Sequence, residues 1–294
     1  MRTATLTHFL SLSLLLGPVV QVPPPLWAAE VSFHEGFGGS LGSTTTAVDD
    51  SLLEIARAHD LGYNEITAAN PEVDPFLPDP GTRVTLPTAW LLPEVSGDPG
   101  IVVNIADLRL YHFPKHRNKA VSTYPIGIGD EGWDTPLGSY RIIEKIEHPA
   151  WHVPASIRAQ KPELPAVVLP GPDNPLGSHA LRLSLESVLI HGTDRPFGIG
   201  MRVSHGCIHL YPEDIVKLYG SVPVGTRVTI VNQPVKASLV GNRVLVEAHE
   251  TEGKNLEQEA WQLLEKKGLA GKVDPGKLEA VLQSHAGIVT DVTK

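Results

Sequence analysis

Short runs of apolar residues with strand-like patterning dominate the middle of the chain, and long helical periods are few. Six runs stand out: IVVNI, RLYHF, AVSTYPIGI, SVLI, GTRVTIVNQ and RVLVEAHE. Each is bounded by turn-forming residues, which is typical of β-strands. The 27 glycines and 26 prolines of the 294-residue chain also favour a turn-rich protein. The pattern therefore predicts a mainly β fold.

Helical patterns lie near both ends. Ser51 and Glu54 form a capping box that predicts one helix start, and Gly62 is expected to end that helix. Asn64 is expected to cap a second helix at Glu65 to Ala69. Strand-like runs flank the pair, TTAV before it and TRVTL after it. Residues 44–91 therefore read as a small αβ unit, and the glycine-rich residues 30–43 as a linker.

The C-terminal part, residues 233–294, is predicted to form one strand and two helices. Asn255 is placed to cap the first helix, and Asp274 with Pro275 opens the second. Between these ends, residues 147–178 carry seven prolines. Missing amide donors exclude a central strand or a long helix there, so we expect a long loop over the core that acts as a lid or a binding surface.

Residues 1–29 are typical of a secretory signal peptide, with Arg2, an apolar run from Phe9 to Leu16, and small residues at Ala28 and Ala29. The run is too short to span a bilayer, so export to the periplasm without a membrane anchor is expected. Removing Arg2 changes the net charge from -9 to -10. An acidic chain is a poor nucleic-acid ligand, because such binding needs a basic surface.

The single cysteine lies in the stretch IHGTDRPFGIGMRVSHGCIHLYPED, close to three histidines. A lone thiol in an exported chain has no disulfide partner and is a candidate nucleophile, which His191 or His205 can activate by taking its proton. Two alternatives remain open from the residues alone. Cys207 can be a buried packing residue, or it can bind zinc together with His191, His205 and His209.

HGT followed by SHGCI resembles the signature of YkuD-type L,D-transpeptidases, in particular their periplasmic subgroup. DTPLGSYRI, PAWHVPASIRA and VPVGTRVTIV extend the resemblance over residues 97–232. Residues 44–91, with AANPEVDP and PGTRVTLP, resemble a LysM domain, although a small αβ spacer fits the same pattern. The implied architecture is a β-sandwich-like catalytic domain, with a small αβ LysM-like domain before it and a short helical C-terminal tail.

The resemblance also implies roles for residues of the site. Cys207 is the implied nucleophile and His191 the general base, with the backbone amides of His205, Gly206 and Cys207 forming the oxyanion hole. Substrate-binding candidates are Ser204, Arg202, His209 and Trp151. The family usually has arginine or asparagine where this chain has His209, and we expect this imidazole to donate one hydrogen bond in that place. No metal or other cofactor is implied.

Such enzymes attack the third residue of a peptidoglycan tetrapeptide stem, release D-alanine and hold the stem as a thioester. The implied partners are stem peptides and glycan strands. The acceptor is an amine of another stem, a free D-amino acid, or the lysine of an outer-membrane lipoprotein. Two other outcomes remain open: water as the acceptor, which gives a hydrolase, and a silent site in a wall-binding protein.

Overall fold

The structure, a computed structural model, describes residues 30–115, 120–186 and 188–294. The predicted signal segment therefore lies outside the described residues. Strands predominate, and the C-terminal part carries two helices, so the predicted mainly β class with a helical C-terminal part is confirmed. Within these residues, none of the helices has the length and apolar character needed to cross a membrane.

Three separate hydrophobic clusters divide the described chain into an N-terminal, a central and a C-terminal unit. The N-terminal cluster is built around Leu52, Ile66 and Trp90. The central cluster combines the strands of the large sheet with one helix, and the C-terminal cluster joins two helices to a small sheet. Each unit therefore has its own core, as expected for structurally distinct parts of one chain.

The N-terminal unit places two short helices beside short antiparallel strand pairs. Its elements are β1 (Glu30–Val31), β2 (Phe33–His34), β3 (Phe37–Gly39), β4 (Gly42–Thr45), α1 (Leu52–Ala58), α2 (Tyr63–Ala68), β5 (Arg83–Leu86) and β6 (Ala89–Leu91). The linker predicted at residues 30–43 is wrong, because β1 pairs with the central sheet and β3 pairs with β6. Those partners are distant in sequence, so local composition could not reveal the pairing.

The predicted capping box at Ser51 and Glu54 is present at the start of α1. The second helix begins earlier than predicted, since Gly62 is its N-cap residue, not the end of α1. Asn64 lies inside α2, and its side-chain amide donates to the carbonyl of Asp107 in the central unit. A tertiary contact thus replaces the predicted cap.

The central unit is built on a nine-stranded mixed sheet in the order β1-β9-β8-β7-β18-β11-β14-β15-β17. Its elements are β7 (Ile101–Asn104), β8 (Arg109–His112), β9 (Val121–Pro125), β10 (Ile128–Gly129), β11 (Gly138–Glu147), β12 (Trp151–His152), α3 (Ala155–Gln160), β13 (Val167–Val168), β14 (His179–Leu183), β15 (Leu189–His191), β16 (Arg202–Ser204), β17 (Ile208–His209), α4 (Pro212–Ser221) and β18 (Arg227–Val231). Residues from both halves of the sheet, such as Leu110 and Ile208, share one core, so the sheet curls around it. The proline-rich segment holds only two-residue strands and a six-residue helix, as its missing donors predict.

The C-terminal unit is an αβ structure with more strand than expected. It contains β19 (Val235–Val240), β20 (Arg243–Ala248), α5 (Leu256–Lys266), α6 (Pro275–Ser284) and β21 (Thr290–Asp291), which make a three-stranded sheet covered by two helices. Both predicted helices are present, with Asn255 and Asp274 as caps. The prediction of a single strand was incomplete, because β19 and β21 also pair with β20.

A buried arginine joins the N-terminal and central units. Arg109, on β8, is fully buried, and its guanidinium lies 3.3 Å from a carboxylate oxygen of Glu65 in α2. It also donates to the carbonyl of Asp60 and stacks 4.2 Å from the centre of the Trp90 ring. An unpaired buried charge is costly, so these contacts require the two units to stay together.

A second buried charge cluster, the Lys236 joint, connects the central and C-terminal units. The Lys236 ammonium lies 2.7 Å from a carboxylate oxygen of Asp107 in the central unit and 2.7 Å from one of Glu247 on β20. The other Glu247 oxygen accepts the backbone N–H of Leu91 at 2.6 Å, which brings in the N-terminal unit. The Ser238 hydroxyl also donates to the carbonyl of Glu35. Each unit therefore contacts both of the others.

Candidate active site

Two adjacent parallel strands bring the thiol and two of the histidines together. In the register of β15 and β17, Ile190 lies beside Ile208 and His191 beside His209. Side chains alternate between the faces of a strand, so the two isoleucines enter the core and the two histidines point to the opposite face. Cys207 immediately precedes β17, one position before Ile208, and the same alternation places it on the face of the histidines.

His191 is held as a neutral base. Its ring is buried, and burial lowers the pKa of the imidazole to about 4, against a smaller opposing effect of the hydrogen bond with Gly192. The Nδ1 atom lies 2.6 Å from the carbonyl oxygen of Gly192. A carbonyl only accepts hydrogen bonds, so Nδ1 carries the proton and Nε2 of the neutral ring has a lone pair. The ring is therefore both oriented and able to accept a proton.

The thiol is partly buried and protonated at rest. Burial raises the pKa of the Cys207 thiol, and a backbone hydrogen bond with Leu189 counteracts this only in part. A thiol with a raised pKa and an imidazole with a lowered pKa do not exchange a proton spontaneously at neutral pH. The resting pair is therefore a thiol and a neutral imidazole, not a thiolate and an imidazolium.

His209 packs against His191. The two ring centroids are 4.5 Å apart with an interplanar angle of 48°. Burial, together with the neighbouring His191, holds the pKa of His209 well below its ordinary value. Its backbone bonds to Gly127 in both directions, which fixes the strand. The expected substrate hydrogen bond is therefore not the only use of this ring, since it also supports one face of His191.

Ser204 closes the loop that carries the cysteine. Its buried hydroxyl accepts the N–H of Gly206 at 3.1 Å and donates to the carbonyl of Cys207 at 2.7 Å. Ser204 thus has a use inside the loop that the sequence did not predict. The N–H of Gly206 was expected in the oxyanion hole, and it points at Ser204 instead. The amides of His205 and Cys207 remain the oxyanion candidates of this segment.

Of the other predicted residues, His205 and Arg202 lie at the exposed rim of the site, and Trp151 lies in the proline-rich segment. The exposed His205 ring stacks on Trp133, with centroids 4.8 Å apart, so its side chain is a surface group. Arg202 is exposed and paired with Asp134. Trp151 is half-buried in β12, where it pairs with Val168 across the proline-rich segment. Among the ring contacts of the described residues, none joins Trp151 to the histidines.

Helix α2 of the N-terminal unit binds the loop between His191 and Cys207. The N–H groups of Tyr63 and Asn64 donate to the carbonyls of Ile199 and Gly200, at 3.0 and 3.3 Å. The first N–H groups of a helix have no partner inside it, so this loop satisfies them. Gly200 has φ +84°, and an added Cβ would lie 2.1 Å from the Tyr63 nitrogen. The N-terminal unit thus fixes the path of the chain toward the cysteine.

The zinc alternative depends on several ligand atoms meeting at one point. Across residues 30–115, 120–186 and 188–294, one set of three or more such side chains converges, namely Asp107, Glu247 and His249. That set belongs to the Lys236 joint, where the ammonium already occupies the space between the two carboxylates. The histidines around Cys207 are not part of this set.

Several known proteins are similar to this chain. Residues 98–230 match the YkuD family, described as the L,D-transpeptidase catalytic domain. The probable L,D-transpeptidase YcfS of Escherichia coli K12 is 40% identical over 260 residues, which cover 83% of this chain and 81% of that protein. The chain belongs to the L,D-transpeptidase family. The probable L,D-transpeptidase YbiS of the same strain is 45% identical over 192 residues, covering 64% of this chain and 62% of YbiS.

The likeness of this L,D-transpeptidase to YcfS extends beyond the catalytic domain, since it covers 83% of the chain. Among solved structures, the catalytic domain of the Enterococcus faecium L,D-transpeptidase is 22% identical, with a TM-score of 0.37, and the match covers 47% of this chain and 99% of that one. The family match and the relation to YcfS make this chain an acyltransferase of the L,D-transpeptidase family.

Sequence reasoning missed Thr135, which lies against the cysteine loop of this L,D-transpeptidase. It lies in the motif DTPLGSYRI, where sequence reasoning assigned it no role. Its side chain is almost fully buried, and its hydroxyl donates a hydrogen bond to the carbonyl of Gly206. Trp133, two residues before Thr135, is 40% exposed and lies beside His205. A threonine directly before a proline was the available sequence signal, but only the fold shows that it is buried and which backbone it contacts.

Proposed function

We propose that this protein is a peptidoglycan L,D-transpeptidase in which Cys207 is the nucleophile and His191 the general base. The donor is a tetrapeptide stem, and the attacked carbonyl belongs to its third residue. The observation that carries the proposal is the register of β15 and β17, which sets His191 beside His209. Alternation of side chains back from Ile208 supports a Cys207 thiol on the face of the oriented, neutral imidazole of His191. Family membership supports the same chemistry.

The acylation step follows from the resting protonation states. His191 accepts the thiol proton at Nε2 as the sulfur attacks the carbonyl carbon, and the carbonyl electron pair moves to oxygen. The amides of Cys207 and His205 are the proposed donors to that oxyanion. Collapse of the intermediate breaks the amide bond, and the imidazolium returns the proton to the departing amine of D-alanine. The stem remains on Cys207 as a thioester.

Transfer reverses the same sequence with a new amine. The acceptor amine attacks the thioester carbonyl, His191 takes one of its protons, and the thiolate leaves and is reprotonated by the imidazolium. The free energy of the new amide comes from the amide that was broken, so the reaction needs no nucleotide as an energy source. We infer a second stem or a lipoprotein lysine as the acceptor, with water as the competing one.

The same proposal places the enzyme in the periplasm and gives the N-terminal unit a role. A signal-like segment at residues 1–29 supports export. The order β4, α1, α2, β5, with the two outer strands paired antiparallel, supports a LysM-like unit that binds peptidoglycan glycan strands. Binding of glycan by this unit would keep the active site close to the stems.

The decisive experiment incubates the purified protein without residues 1–29 with a disaccharide-tetrapeptide and measures intact-protein and product masses. We expect a protein adduct equal to the substrate minus D-alanine, and its absence in Cys207→Ala. A product crosslinked through an amine supports transfer, while a free tripeptide stem identifies water as the acceptor. Folded wild-type protein that gives no adduct and no D-alanine would contradict the proposal and leave a wall-binding protein.

A further inference from the structure

Thr135 lies between β10 and β11, and its hydroxyl connects two backbone segments at the active site. It is 2% exposed. The hydroxyl accepts the N–H of Gly129 at 3.0 Å and donates to the carbonyl of Gly206 at 3.1 Å. Both of its hydrogen-bonding functions are therefore used, and one of them holds the residue directly before the proposed nucleophile.

Holding the Gly206 carbonyl also sets the direction of the next amide. The Gly206 carbonyl and the Cys207 N–H belong to one planar peptide unit, in which they point in opposite directions. Gly206 has φ +97° and no side chain, so the surrounding chain does little to stop this unit from rotating. The hydrogen bond from Thr135 supplies the missing restraint.

Ser204 holds the peptide units on either side. It accepts the N–H of Gly206, which belongs to the unit before, and donates to the carbonyl of Cys207, which belongs to the unit after. The middle unit carries the N–H of Cys207 and receives its restraint from Thr135. Two hydroxyls thus fix three consecutive peptide planes around the thiol.

The segment from Gly129 to Thr135 and the cysteine loop contact each other through their backbones. This contact gives the threonine a rigid support. A Cβ added at Gly129 would lie 2.0 Å from the carbonyl oxygen of Trp133 and 3.0 Å from the Cα of Gly206. Such contact leaves no space for either loop to shift toward the other. The position of the Thr135 hydroxyl relative to Gly206 is therefore set by the fold.

We propose that Thr135 is a positioning residue that aims the backbone N–H of Cys207 at the oxyanion formed when the thiol attacks a carbonyl. The inference rests on the proposed function only in taking Cys207 as the nucleophile. Thr135 itself contacts no reacting atom. Its effect is limited to reactions that place negative charge on a carbonyl oxygen, because only these use the aimed amide.

The test compares two reactions of the same thiol. p-Nitrophenyl acetate acylates the sulfur through a tetrahedral oxyanion, whereas iodoacetamide alkylates it at a saturated carbon without one. Removal of a single oxyanion donor costs roughly 100- to 1000-fold, so a misaimed donor in Thr135→Val should slow acylation about 10- to 100-fold. Alkylation should remain within about 2-fold, since thiol and base are unchanged. Thr135→Ser keeps the hydroxyl and should restore acylation.

Thr226→Val is the matched control. Thr226 is also buried, and its hydroxyl donates to the carbonyl of Pro223 at 2.7 Å, in a turn before β18. This variant should keep the wild-type ratio of acylation to alkylation, whatever it does to thermal stability. If Thr135→Val does not fold, as judged by circular dichroism, Thr135→Ala and Thr226→Ala make the same comparison.

A wild-type ratio in the folded Thr135→Val or Thr135→Ala variant would overturn the inference, and so would failure of Thr135→Ser to restore acylation. The proposed function has a separate failure. Wild-type protein that reacts with the activated ester but gives no thioester with the disaccharide-tetrapeptide refutes the stem-peptide substrate. The Thr135 comparison still stands in that case, because the ester probes the amide without any stem.

Discussion

The active site and the Lys236 joint are both buried and polar, but they treat charge in opposite ways. At the joint, burial alone would discharge the groups, yet Asp107 and Glu247 keep the pKa of Lys236 raised, and Lys236 with His249 keeps that of Glu247 lowered. In the active site, burial lowers the pKa of His191 to about 4 and raises that of the Cys207 thiol. One region stabilises ions, and the other stabilises neutral groups.

The choice of hydrogen-bond partners explains the difference. Lys236 lies between two carboxylates, whereas the ring of His191 forms a hydrogen bond with the carbonyl oxygen of Gly192. A carboxylate partner would favour the imidazolium and remove the acceptor that the thiol needs. A carbonyl orients the ring without charging it as strongly. The proposed proton acceptor thus has a neutral hydrogen-bond partner, while the lysine that joins the units lies between two carboxylates.

The largest effect is expected when the joint loses its cation. Lys236→Met leaves Asp107 and Glu247 buried without their ammonium, and breaking a buried pair in this way costs about 3–5 kcal/mol. Urea unfolding monitored by circular dichroism measures the loss. The control is Lys266→Met, because Lys266 also lies 2.7 Å from a carboxylate, that of Glu94, but is 71% exposed. An exposed pair contributes less than about 1 kcal/mol, so equal losses in the two variants would refute the contrast.

The next effect concerns pH, because the two regions should lose unfolding free energy in different pH ranges. His191 has a pKa of about 4 in the folded state and an ordinary value of 6.5, so between these values the unfolded chain binds the extra proton. Its contribution of about 3 kcal/mol is complete above pH 6.5 and is lost as the pH falls to 4. We expect His191→Gln to remove up to about 1.4 kcal/mol per pH unit from the slope of unfolding free energy in that window.

Glu247, in the Lys236 joint, should affect stability at lower pH than His191 does. Its pKa is lowered from 4.5, so the stability it contributes is present above pH 4.5 and is lost as the pH falls below that value. Glu247→Gln should therefore flatten the stability curve only at the acid end. Chemical unfolding from pH 3 to pH 8 tests both variants against wild type. Parallel curves for His191→Gln and wild type would contradict a neutral buried imidazole.

The smallest effect is expected at the rim of the site. Arg202 and Asp134 form an ion pair in which the side chains are 43% and 70% exposed. Asp134→Asn should change the unfolding free energy by less than about 1 kcal/mol, because water screens exposed pairs. It also frees Arg202, so a changed KM with an unchanged kcat for the tetrapeptide would identify Arg202 as a substrate contact. A stability loss as large as that of Lys236→Met would refute the distinction between rim and joint.

Much of the fold was accessible from the sequence because it depends on local patterns. The capping box at Ser51, the caps at Asn255 and Asp274, and the proline-rich segment were predicted from residues next to one another. Strand β1 was missed, because its partner β9 begins about 90 residues later. Asn64 was misread for a related reason, since its amide group meets Asp107 in another unit.

The candidate site, too, was predictable only where it depends on local sequence. The run SVLI predicted β15, and the motif around Cys207 pointed to the histidines that β15 and β17 bring together. It could not show that Ser204 is used inside the loop, nor that Thr135 reaches Gly206. The partners of Ser204 lie within three residues but depend on how the loop folds, and the Thr135 partner Gly206 lies 71 residues along the chain. The roles proposed for Cys207 and His191 remain predictions that the thioester experiment tests.

The contacts that connect all three units constrain how the sequence of this protein can evolve. A chain reduced to residues 97–232 would keep Asp107 and Arg109 but lose Lys236 and Glu65, the charged partners that other units supply. The units are therefore not interchangeable modules. A chimera assembled from two homologues should stay folded only when the contact residues of all three units come from the same parent. We therefore expect the contact residues of the three units to change together during evolution.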